Sequence, residues 1–128
     1  MTIRAWAHFD DVRAADWHWR NFKPAELACR GSGQLMINVE ALTALQRLRN
    51  DIEAPMIVRS AYRSPAHNAR VGGAAGSRHL VAEAFDIAHA GLDVSELLEL
   101  AVRHGFAGIG RYSDFVHLDR GPAREWWG

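Results

Sequence analysis

The chain has 128 residues, the length of one domain, with fifteen basic residues against fifteen acidic ones and a formal net charge of zero. That balance argues against a general nucleic-acid binder and against a polybasic membrane anchor. No apolar run approaches the ~20 residues of a spanning helix, so membrane insertion is not expected. A single cysteine, Cys29, excludes an internal disulfide framework and a Cys-rich zinc finger.

Taken in chain order, residues 1–20 are polar and aromatic (Trp6, His8, Phe9, Trp17, His18, Trp19) and read as an arm or irregular cap on a single domain spanning 1–128. They lack the basic and then apolar regions of a signal peptide, so the chain is expected to be made in the cytoplasm. Pro24 opens a short helical turn. Asn38 caps a helix through Asn50, with Leu42, Leu45 and Leu48 on its buried face. Met56-Ile57-Val58 reads as a buried strand running into Arg59 and Ser60. Ser64-Pro65 caps and opens a short helix to about Val71, and Gly72 to Gly76 is a loop. Ala84 to Ala88 is a strand with Phe85 and Ile87 on one face and Asp86 on the other.

Asp93 caps the second strong helix, whose Val94, Leu97, Leu98 and Ala101 have the spacing of a buried face, and Gly105 stops it. Two short strands follow, Gly108 to Arg111 and Phe115 to Asp119, joined by a turn at Tyr112 to Asp114. The tail is expected to fold back through Trp126 and Trp127. This mixed order of helices and short strands predicts an α+β domain.

Three positions stand out chemically. Asp86 lies in an otherwise apolar strand, where an unpaired carboxylate is costly; it is either a metal ligand beside His79 and His117 or a buried group that pairs with an arginine or caps a backbone turn. Asp114 precedes His117 by three and can share its site, as general base for a metal-bound water, only from the turn before the strand, and is otherwise an ordinary turn aspartate; Asp119 shares the face of His117 and competes for that role, although a structural one suits it better. Arg63 leaves a strand near these residues and suits an anionic substrate group, or else only a surface ion pair, and Arg59 is an equally basic neighbour. The remaining signals are weaker. Cys29 has no nucleophile signature, the serines lack a nucleophile elbow, and the glycine loop lacks the Lys-Ser/Thr of a phosphate loop.

Several ordered blocks together resemble the M15 family of zinc peptidases, most closely its M15A branch of D-alanyl-D-alanine carboxypeptidases and their small phage-type relatives. The blocks are Asn21 to Cys29, Ser60 to Asn68, Val71 to Ala74, Ser77 to Leu80, Ala84 to Ile87, Gly108 to Gly110 and Phe115 to Asp119. The resemblance implies a Hedgehog/DD-peptidase-type fold with a small antiparallel sheet carrying one zinc ion on His79, Asp86 and His117. It implies Asp114 as general base, Arg63 as the residue that binds and polarises substrate, and Ser77 as a further substrate contact. The implied substrates are peptidoglycan stem peptides. The implied activity is that of a D-Ala-D-Ala carboxypeptidase, with a phage-lysin endopeptidase or a non-catalytic wall-binding or particle-assembly module as the alternatives. For such an enzyme, release by a holin or carriage on a phage-like particle would replace secretion.

Two departures from the relatives are mild on this reading. Ala61 stands where glycine is frequent, and Ala82 replaces a glycine between two ligands, which is tolerable provided its φ is negative.

Overall fold

The computed structural model describes all 128 residues. Two sheets and four helices make an α+β domain. The first sheet is a two-stranded ribbon in which β1 (Ile3–Trp6) pairs antiparallel with β2 (Leu35–Asn38). The segment expected to be an irregular arm therefore begins as a strand, followed by 3-10 turns at Phe9–Asp11 and Ala14–Asp16. Backbone pairing to β2 supplies order that the outward-facing side chains of Ile3–Trp6 do not advertise.

Helix α1 (Pro24–Leu27) is one turn with proline at its start. Helix α2 (Val39–Ile52) follows β2 directly, and the Asn38 side chain accepts from Ala41 N at 3.1 Å, the expected cap. Ser64 caps α3 (Pro65–Arg70), and Asp93 caps α4 (Val94–Arg103) by accepting from Glu96 N.

The main sheet has the order β3-β4-β6-β5-β7, made of β3 (Ile57–Ser60), β4 (Ala84–Ala88), β6 (Phe115–Asp119), β5 (Gly108–Arg111) and β7 (Arg124–Trp127). All neighbours are antiparallel except β5 and β7, which run parallel. The tail does fold back, but as a fifth strand.

Alternation along β4 and β6 divides the sheet chemically. Phe85, Ile87, Val116 and Leu118, joined by Val58 and Ile109, face a single core with Leu42, Leu45 and Leu48 of α2 and Leu97, Leu98 and Ala101 of α4. Phe106, just past α4, meets Phe85 edge to face at 6.1 Å. Helices α2 and α4 thus cover one face. Asp86, His117 and Asp119 necessarily point to the other, where Arg63, the glycine loop and a 3-10 turn at Arg78–Val81 frame a cleft. No helix is long and apolar enough to cross a membrane.

Candidate metal centre

The register of the sheet builds the site. Asp86 of β4 lies directly opposite His117 of β6, so the two side chains rise side by side from one face. His79 comes from outside the sheet. It sits in the 3-10 turn, whose N-cap is Ser77; the Ser77 hydroxyl accepts from His79 N at 3.3 Å. The segment leaving β3 clamps it. The Ala61 carbonyl lies 2.6 Å from His79 Nδ1, and Arg63 N donates to the His79 carbonyl at 3.1 Å.

His79 Nε2, one Asp86 oxygen and His117 Nδ1 all lie within 4.8 Å of one another. Asp86 Oδ1 is 3.2 Å from His79 Nε2 and 2.9 Å from His117 Nδ1. The outer partners fix the tautomers. His79 Nδ1–H donates to the Ala61 carbonyl, which turns the Nε2 lone pair inward. His117 Nε2–H donates to Asp119 Oδ2 at 2.7 Å, which turns the Nδ1 lone pair inward. With both rings neutral, three acceptors converge on one point, where a cation, either a metal ion or a proton added to a ring, satisfies them together. Two imidazoles and one carboxylate, open on the cleft side, are the donor set of a catalytic zinc site, where bonds of ~2.0–2.1 Å give ligand–ligand edges near 3.4 Å. The residues fit zinc.

Asp119 supports His117 from behind. It is fully buried and accepts from both terminal nitrogens of Arg124, at 2.9 and 2.8 Å, and from Gly121 N at 2.9 Å. Burial alone would raise its carboxyl, but the hydrogen bonds from His117, Arg124 and Gly121 outweigh it and hold the group well below the usual carboxylate range. Asp86 behaves alike: burial works upward, and the hydrogen bonds and charges of His117 and His79 pull it far down. For His117, burial works against the charged ring, yet Asp119 and Asp86 outweigh it and raise its pKa.

Arg63 lies at the same centre. Its guanidinium reaches Ser60 Oγ at 3.3 Å, Asn68 Oδ1 at 3.3 Å and Asp86 Oδ2 at 3.5 Å. Asn68, buried in α3, also donates to the Ala74 carbonyl at 2.9 Å and so ties Arg63 to the glycine loop. The sequence singled out Arg63 but assigned no role to Asn68. The available signal was its position, one turn into a proline-opened helix that starts beside Arg63.

Asp114 is placed differently. It does lie in the turn before β6, as its use at the site requires. Its carboxylate, two-thirds exposed, pairs with Arg59 Nη1 at 2.9 Å and stands outside the cluster of His79, Asp86 and His117. Ser77 lines the cleft, with its hydroxyl engaged as the cap. Ala82 adopts φ +59°, in the left-handed region, so the condition under which alanine is readily tolerated there is not met. The turn that delivers His79 into β4 demands that conformation, and Ala82 bears its cost, which for an L-residue is about 1–2 kcal/mol. Glu83 turns away from the donors and pairs with Arg78 at 2.9 Å.

The cleft over these donors has a volume of about 440 Å³. Its rims differ. Gly72, Gly73, Ala74 and Gly76 form one, and the rings of Tyr112, Phe115 and Trp126 form the other. A larger groove of about 580 Å³ lies against α4 on the opposite face of the sheet and holds no comparable cluster of ligating atoms.

Comparison with known proteins agrees with this chemistry. Over 123 residues the chain is 27% identical to the zinc D-Ala-D-Ala carboxypeptidase of Streptomyces albus G, a match that takes in 92% of this chain and 47% of that protein. The chain thus spans about half the length of that relative. The family model described as Peptidase M15 matches residues 20–119, a stretch that contains all three converging donors and every strand of the main sheet but β7. The chain belongs to the M15 peptidase family.

Proposed function

We propose that this protein is a zinc-dependent peptidase of the M15A type, with the Hedgehog/DD-peptidase fold, that removes the terminal D-alanine from peptidoglycan stem peptides. The observation that carries the reading is the convergence of the His79, Asp86 and His117 lone pairs beside Arg63 at the floor of an open cleft. The named activity of the Streptomyces albus G relative supports the choice of substrate.

Zinc held by His79, Asp86 and His117 would supply Lewis acidity, acidifying a water and polarising a carbonyl. The chain's own groups do the rest. Asp114 sits on the turn beside the cleft and accepts a proton from the attacking water, then returns it to the leaving amine. Its exposure leaves the side chain free to turn from Arg59 toward substrate. Arg63, held on three sides, offers its guanidinium to a substrate oxygen as negative charge develops. Asp119 and the Ala61 carbonyl keep the two imidazoles in the tautomers that face inward.

The test begins with elemental analysis of wild type and His117→Ala. About one zinc per wild-type chain, absent from the variant, is expected. Zinc-loaded wild type should release D-alanine from an N-acetylated L-Lys-D-Ala-D-Ala peptide. Failure to retain zinc overturns the reading. Cleavage of cross-linked wall fragments without release of terminal D-alanine, read by product mass, would make the enzyme an endopeptidase instead. Wall binding by the zinc-loaded protein without any cleavage would make it a non-catalytic module.

A further inference from the structure

The register that opposes Asp86 to His117 continues across the whole sheet. Ser60 of β3, Asp86 of β4, His117 of β6, Gly110 of β5 and Trp126 of β7 stand in one rung. Because Gly110 has no side chain, Trp126 leans across it toward the metal centre. A Cβ at Gly110 would lie 2.5 Å from the indole, and the Trp126 and His117 rings are 5.2 Å apart between centroids.

The indole is locked in place. Trp126 Nε1 donates to the Tyr112 hydroxyl at 2.8 Å, and Arg124 stacks 5.1 Å over its ring. Tyr112 in turn lies flat on Phe115, with centroids 4.4 Å apart and planes within 5°. All three rings are partly exposed and line the cleft. The Tyr112 hydroxyl spends a lone pair on Trp126 and makes no hydrogen bond as a donor, so its own proton is free. The rim opposite is nearly free of side chains, which lets the main chain of a peptide approach it closely.

We propose that Tyr112, oriented by Trp126, is a substrate-contacting hydrogen-bond donor, and that the Tyr112–Trp126 wall holds the peptide against the metal centre. This rests on the peptidase reading and assigns the side of the cleft along which substrate lies. The ring faces offer a flat apolar surface to a methyl-sized side chain next to the scissile bond, while the Tyr112 proton meets a peptide carbonyl oxygen.

The experiment uses the zinc-loaded full chain and the N-acetylated L-Lys-D-Ala-D-Ala peptide, with Tyr112→Phe, Trp126→Phe and the double variant. Both substitutions keep a ring and delete one end of the hydrogen bond. Each single variant should lose about tenfold in kcat/KM, chiefly through KM. The double variant should lose little more than either single one, because Trp126 acts through Tyr112. Zinc content and melting temperature should match wild type. Single variants within twofold of wild type overturn the proposal, and so do losses that follow zinc content or melting temperature, since those mark a packing role. Calorimetric binding of the same peptide separates this inference from the peptidase reading. If wild type binds the peptide without cleaving it, the peptidase reading fails, and weaker binding by Tyr112→Phe still supports the wall. If wild type neither binds nor cleaves it, both fail.

Discussion

Asp119→Asn tests the support of the metal centre with the smallest change of shape. The wild-type carboxylate is fully buried and receives four hydrogen bonds, from His117 Nε2, both terminal nitrogens of Arg124 and Gly121 N. Each carboxylate oxygen takes two of these donors and an amide has one acceptor oxygen, so two donors face an NH2 group instead. If the remaining oxygen takes the place of Oδ1, which Arg124 Nη1 and Gly121 N share, His117 loses the bond that turns its Nδ1 lone pair inward. Loss of such an outer partner typically weakens metal binding by about 10–100-fold. Removal of the charge also leaves Arg124 without its ion-pair partner. Breaking a fully buried pair costs ~3–5 kcal/mol, but the Arg124 side chain is 41% exposed, and water recovers part of that. The cost to the metal-free fold is then about 2 kcal/mol, or a melting temperature lower by about 8 °C. Zinc affinity is read by competition with a chromophoric chelator, and stability by thermal unfolding of the metal-free protein. Wild-type zinc affinity in Asp119→Asn would refute the argument that Asp119 sets the ring of His117.

The other expectations concern the same cleft. His79→Ala should lose both zinc and turnover, whereas Asp114→Asn should retain zinc and lose turnover; a fully active Asp114→Asn enzyme would remove Asp114 as the base. Zinc at this site would compete with a proton for His117, whose raised pKa comes from Asp119 and Asp86 outweighing burial. In the metal-free protein the protonated ring contributes stability that is complete below the unfolded value of ~6.5 and is lost as the pH rises through the higher folded value. Zinc uptake therefore expels a proton, and its affinity should fall about tenfold per pH unit below that folded value. A titration series between about pH 5 and 8 that shows constant affinity would contradict this. Gly110→Ala places a methyl against the indole of Trp126 and should cost about 1–3 kcal/mol while the zinc ligands stay in place. Unchanged melting with an unchanged KM would show that the close approach of Trp126 across Gly110 is not required.

Local signals in the sequence carried much of this structure. Caps at Asn38, Ser64 and Asp93 located three helices, because a side chain that accepts from a backbone N–H acts within a few residues. Asp86 stood out because a carboxylate in an apolar strand needs a partner. The parity of His117 and Asp119 placed them on one face without any tertiary information. Features that depend on register stayed hidden. β7 reads Arg-Glu-Trp-Trp, with no alternation of apolar and polar residues, and its pairing depends on β5 as a parallel neighbour. The lean of Trp126 across Gly110 appears only once five strands are aligned. The pairing of Asp114 with Arg59 spans 55 positions and follows from β3 and β6 flanking β4. Ala82 shows a different limit: the resemblance marked the position as one where glycine is frequent, but backbone handedness could not be read from an alanine.

Glycine recurs at alternate positions of β5. Gly108 makes the same room for Arg124 to reach Asp119 that Gly110 makes for Trp126 to reach His117. The outermost strand is thus wired past its neighbour to the middle of the sheet, although its backbone is bonded on one side only. Edge strands exchange their amide hydrogens early, because little else must open with them. Here the wiring couples that opening to the candidate metal centre. Zinc and peptide, by fixing His117 and Trp126, should slow exchange at the amides of β7 more than at those of β4, which is already sealed between two strands. Occupancy of the cleft would then be readable at the margin of the fold, in the rate at which its last strand breathes.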